Sequence, residues 1–141
     1  MLMARVKCLK THNRGKKMTD SKVLETCKAG IAAWQIAFNN QDAAGCAAQY
    51  CEGATMEARP MGTFTGRSEI QAFWQNIMDQ GFKDVDYSDV NWVAEGDDGY
   101  ILSSNWTMNK AFGAVHREHW QIQEDGKARL VSDVFEILGE R

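Results

Sequence analysis

The first long regularity in the chain lies between residues 20 and 40. Val23, Leu24, Cys27, Ile31, Trp34 and Phe38 recur there at three- and four-residue intervals, which predicts an amphipathic helix with one apolar stripe. Asp42 is placed to cap a shorter, alanine-rich helix in "AAGCAAQYC". "ATMEARP" alternates as a short strand does, and Pro60 and Gly62 break it. A third helix is expected from about Arg67 to Gln80, with Ile70, Phe73, Trp74 and Ile77 inward and Gly81 as its stop.

Beyond Gly81 the period falls from near four to two. Segments 85–95, 100–109, 114–123 and 128–138 each suit a strand, separated by "GDDG", "KAFG" and "EDGK". Asp125-Gly126 is a strong hairpin signal. Three helices followed by a four-strand antiparallel meander predict an α+β domain, a curved sheet with helices on one face. No internal repeat, low-complexity stretch or second domain interrupts it.

Pairing the strands identifies the side chains that meet. A two-residue turn at Asp125-Gly126 sets Trp120 opposite Val131, Glu118 opposite Asp133 and His116 opposite Phe135. A turn over 110–113 sets Ser103 opposite Trp120, Asn105 opposite Glu118 and Thr107 opposite His116. One face then carries the row Asn105–Glu118–Asp133 between apolar rows. Opposed Cβ atoms lie ~4.5–5.5 Å apart in such pairs. Two carboxyls that close, away from water, do not both ionise, so one can donate a proton while the other accepts. The other face holds Leu102, Trp106, Val115, Arg117, His119, Leu130, Val134 and Leu138. It is apolar enough to predict a homodimer packed through the outer side of the sheet. One β-bulge would exchange the two faces beyond it.

Composition narrows the reading. The 141 residues are 44% hydrophobic with a single proline, which fits one globular domain with a real core. The net charge of −3 conceals a basic segment, residues 1–17, with six Lys/Arg and no acid. The other 124 residues hold 10 basic against 19 acidic groups. Met18, followed by "TDSKVLETC", reads as a natural start, so 1–17 is expected to be a disordered extension and 18–141 the domain. An acidic body argues against nucleic acid as a partner, and no apolar stretch has membrane-spanning length. Cys8, Cys27, Cys46 and Cys51 lack metal-ligand spacing, so a cytoplasmic chain without disulfides is expected. His116 and His119, three apart on a strand, point to opposite faces and do not form a metal pair. Neither a metal nor a cofactor is expected; no phosphate loop or Ser/His/Asp order occurs.

The stretch "AWQIAFNNQDAAGCAAQYCEGATMEARPMGTFTGRSEIQAFW" and the later "DGKARLVSDVFE" resemble the nuclear transport factor 2-like superfamily. That group includes steroid delta-isomerases, SnoaL-type polyketide cyclases and limonene-epoxide hydrolases. The likeness spans about residues 20–138. It implies a cone-shaped curved antiparallel sheet wrapped by three N-terminal helices, enclosing one pocket, commonly in a homodimer. The isomerases' proton-shuttling aspartate falls on Ala58 and their oxyanion tyrosine on Trp34, while their second oxyanion acid matches Glu118. The hydrolases' final aspartate matches Asp133, whereas their arginine and second aspartate fall near Ser103 and Asn105. The cyclases use one pocket acid, a part that Glu118 or Asp133 could fill.

Together these readings predict a cofactor-free acid/base enzyme of isomerase, cyclase or hydrolase type acting on a small apolar molecule. Asp133 and Glu118 would carry the chemistry, with Asn105 and His116 as orienting groups in the catalytic set. Its walls would come from Trp34, Phe38, Met56, Ala58, Met61, Trp74, Trp92, Ser103, Trp120, Val131 and Phe135. A non-catalytic member that binds a small molecule or a protein is the alternative.

Overall fold

In a computed structural model the described residues are 19–141; the basic segment expected to be disordered lies outside them. Thr19 caps the first helix, α1 (Asp20–Asn39), its hydroxyl accepting from the Lys22 N–H at 3.2 Å. Asp42 caps α2 (Ala43–Ala48) by accepting from the Gly45 N–H at 3.0 Å. The third helix, α3 (Arg67–Asp79), ends before Gly81, whose φ of 93° suits glycine alone among common residues. These three helices agree with the apolar periodicity to within a few residues.

The strands are β1 (Tyr50–Arg59), β2 (Gly62–Thr65), β3 (Asp86–Ala94), β4 (Gly99–Thr107), β5 (Ala111–Ile122) and β6 (Ala128–Glu140). They form one curved, unclosed sheet in the order β2-β1-β6-β5-β4-β3. The expected meander is its β3–β6 part. Strand β1 adds to it by running parallel to β6, so the sheet is mixed rather than wholly antiparallel. Strand β2, a four-residue hairpin partner of β1, is too short for an alternation signal.

Register is where structure and expectation part. The β5–β6 loop is one residue longer than a two-residue turn: Ile122 pairs with Ala128, and Gly126 sits at φ 85°. A bulge at Val131 then restores the offset, so Glu118 does oppose Asp133. A second irregularity between Val115 and Arg117 places Val115, not His116, opposite Phe135. In β4 the turn falls earlier than expected, and Asn105 pairs with Ala114 while Leu102 pairs with Glu118. Each extra residue turns the following side chains to the other face.

As a result Leu102, Trp106, Val115 and Leu130, expected outside, are buried in the core. Helix α1 packs over β4, β5 and β6, and α3 over β1 and β2. Gly30 of α1 makes that approach possible: a Cβ there would stand 2.7 Å from the Trp120 ring. Cys27 and Cys46 are buried free thiols; the expectation for Cys8 lies outside the described residues. Among the described residues no helix is long and apolar enough to cross a membrane.

Candidate active site

A chamber opens between the inner side of the sheet and helices α1 and α3. Its lining comprises Trp34, Trp74, Val85, Tyr87, Trp106, Met108, Val115, Phe135 and the two acids Glu118 and Asp133. Rings fill most of it. Trp34 meets Trp74 edge-on at 5.0 Å, Trp74 stacks on Phe135 at 5.6 Å, and Phe135 meets Trp106 edge-on at 6.4 Å. The free space is ≈ 30 Å³, enough for about two water molecules.

The acids are the chamber's only ionisable carboxyls, and water barely reaches them: Glu118 is 7% exposed and Asp133 3%. Each is held by one neutral donor. The Tyr50 hydroxyl donates to Asp133 Oδ2 at 2.7 Å, and the Trp120 indole N–H donates to Glu118 Oε1 at 2.9 Å. Asp133 Oδ1 has no partner among the described residues. No cation joins the pair through any ion pair of the described residues.

Those surroundings set the protonation. Burial pushes the Asp133 carboxyl up to about 7, against the downward pull of the Tyr50 hydrogen bond. Glu118 is raised well above the carboxylate range by burial and then by the Asp133 charge, with the Trp120 bond opposing. Burial first, and then the neighbouring acids, raise the phenols of Tyr50 and Tyr87. Both carboxyls are thus raised, mainly by burial, and the pair shares protons at a higher pH than exposed carboxyls do. Such a pair can take a proton from one atom of a bound molecule and return one to another. Among the described residues no group of three acids, histidines or cysteines could hold a metal.

Of the expected site residues, Glu118, Asp133, Trp34, Trp74 and Phe135 line the chamber. Phe38, Met56, Ala58 and Trp120 are buried behind them in the core. The others lie outside the lining. Asn105 is exposed and donates to Asp89, and His116 is exposed and paired with Glu136 at 2.8 Å. Ser103 and Val131 are half-buried away from the chamber, its place on β4 being taken by Trp106. Trp92 packs edge-on against Tyr100 on the far strand, and Met61 is 46% exposed in the β1–β2 turn.

Six contributors lie outside the expected site: Tyr50, Val85, Tyr87, Trp106, Met108 and Val115. The helical pattern places Tyr50 at the end of the alanine-rich helix, yet it opens β1, level with Leu130 of β6. That parallel pairing brings its hydroxyl to Asp133, and no local pattern announces it. Simple alternation puts Trp106 and Val115 on the outer face, and the register shifts turn them inward. Their large apolar side chains beside polar Asn105, Thr107 and His116 were the available signal.

Residues 31–131 match the SnoaL-like domain family. Solved structures share the fold at low identity. One is a protein of cystatin-like fold from Nostoc punctiforme (15% identity, 87% of this chain and 96% of that one, TM-score 0.72). Another is a ketosteroid isomerase-like protein from Erwinia carotovora atroseptica (14%, 82% and 95%, TM-score 0.69). A third is ActVI-ORFA from Streptomyces coelicolor (13%, 82% and 96%, TM-score 0.69). No curated protein sequence matches the chain. The chain belongs to the SnoaL-like domain family, of the nuclear transport factor 2-like fold, whose members include isomerases, cyclases and dehydratases.

Proposed function

We propose that this protein is a small-molecule enzyme using cofactor-free acid/base chemistry of isomerase, cyclase or hydrolase type. The observation that carries the reading is the opposed pair Glu118–Asp133, buried together with a single neutral donor on each acid. Asp133 is the group that moves the proton, through its unpartnered Oδ1. Glu118, held protonated, donates to negative charge developing on the bound molecule. Tyr50, rather than the expected Asn105 or His116, orients the base by fixing Oδ2. Trp120 does the same for Glu118.

The experiment is a carboxyl titration by carbon NMR on the labelled protein, with Asp133→Asn and Glu118→Gln for assignment. One carboxyl titrating near neutrality and a second titrating above it support the proposal. Two carboxyls titrating in the ordinary range below pH 5 would sink it.

A second reading, a non-catalytic member of the family, gains from the size of the chamber. With ≈ 30 Å³ free, any molecule beyond a few heavy atoms enters only if the ring wall parts. If no small aromatic probe protects the protein against thermal unfolding, that wall stays shut and the second reading replaces the first.

A further inference from the structure

One side of the chamber is a single thickness of chain. Trp34 and Trp74 stand on helices, and the inner strands β4, β5 and β6 each have a neighbour on both sides. Met108 lies in the turn between β4 and β5. Val85 and Tyr87 alone among the lining residues belong to the sheet edge, where the chain enters β3, a strand paired only with β4. Val85 is buried and Tyr87 half-buried, while Asp84, Asp86 and Ser88 beside them are exposed. Solvent therefore lies directly behind this wall.

Two bends bound the stretch. Asp84 sits at φ 61° and Asp89 at φ 54°, and the β3–β4 register breaks between Ser88 and Asn91. Hinges use such positions, where one or two residues absorb a backbone change. Before the first bend the chain is fixed: Asn109 accepts from the Lys83 N–H at 3.0 Å and donates to the Gly81 carbonyl at 2.9 Å. Past it, Val85 lies outside the β3–β4 ladder and is held by side chains of α1 instead. Asn39 accepts from the Val85 N–H at 2.8 Å and donates to its carbonyl at 3.2 Å, and Gln35 donates to the same carbonyl at 3.0 Å. The pairs that Asp86, Tyr87 and Ser88 make with β4 lie on the sheet's edge, where local opening costs least. We propose that Val85–Ser88 is a flap latched to α1 by Asn39 and Gln35, and that its release admits molecules to the chamber. With ≈ 30 Å³ free when shut, the chamber holds only water-sized guests, so the latch governs access. The inference rests on the chamber being the functional site, as proposed above, and adds how that site is gated.

Solvent exchange of indole N–H groups reads the flap without any ligand. Trp34, Trp74 and Trp106 line the chamber, and their Nε1 atoms have no hydrogen-bond partner among the described residues. Entry of solvent therefore limits their exchange. In a nitrogen-labelled sample, with signals assigned by single Trp→Phe variants, the three should exchange by a route that urea barely accelerates, as a local opening does. Asn39→Ala removes two bonds to Val85 and should speed these indoles about tenfold. Gln35→Ala removes one and should speed them about threefold; it supplies the result should Asn39→Ala fail to fold. Thr19→Ala, which weakens the far end of α1, should leave their rates within about twofold. The inference is overturned if the latch variants leave the indoles unchanged, or if Thr19→Ala speeds them as much. Exchange of the indoles only together with the strongly urea-dependent backbone amides of β5 and β6 overturns it as well. The carboxyl titration does not depend on the flap, so failure here and failure of the acid/base reading are separate results.

Discussion

Replacing Asp133 by asparagine should change how stability depends on pH. In the folded protein burial raises this carboxyl from 3.8 to about 7, which corresponds to about 4 kcal/mol in the limit. The sign follows from the direction. Between those two values the folded chain keeps the proton that the unfolded chain gives up. The stabilising contribution is thus complete below about pH 3.8 and is lost as pH rises through about 7. About 3 kcal/mol of that loss falls between pH 5 and pH 8. Glu118, also raised, extends the loss to higher pH. Asp125, whose carboxyl Arg129 holds below its ordinary range, acts in the opposite sense only at the acid end, so the window from pH 5 to 8 is clear of it. Asparagine keeps the shape, and its amide oxygen can still accept from Tyr50. Urea unfolding followed by tryptophan fluorescence in this window measures the effect. Wild type should weaken steadily with rising pH, and Asp133→Asn should reduce that slope, the buried Glu118 supplying the remainder. A flat or rising wild-type profile, or the same slope in both proteins, would refute the argument that burial governs this acid.

Gly30→Ala should cost about 1–3 kcal/mol, because the new methyl meets the Trp120 ring at 2.7 Å; a melting temperature within a degree of wild type would show that the ring yields. For the homodimer, the outer surface has lost Leu102, Trp106, Val115 and Leu130 to the core, yet Val93, Phe112 and Leu138 remain exposed on β3, β5 and β6. Light scattering should give twice the chain mass of 15.9 kDa, and a monomer mass at tens of micromolar would discard the expectation.

The acid pair was legible because both residues sit in apolar, period-two segments joined by a turn signal. Its correct pairing nevertheless came from two compensating departures: the longer turn shifted β5 against β6 by one residue, and the bulge at Val131 shifted it back. Where no second shift compensated, the expectation failed. His116 and Asn105 turned outward and Trp106 turned inward.

The division has a physical cause. Helix spans, caps and stops depend on neighbours within about one turn of the chain, so residues 20–39 and 67–79 declared themselves. Strand partners depend on which side chains fit beneath α1 and α3, and a bulge forms where that packing gains more than the broken ladder loses. Tyr50 reaches Asp133 only because β1 lies parallel to β6, across 83 residues of chain. The amino-acid order alone thus determined the helices, the turn-linked strands and two acids in an apolar setting. Only the folded sheet decided which donors and which aromatic rings surround those acids.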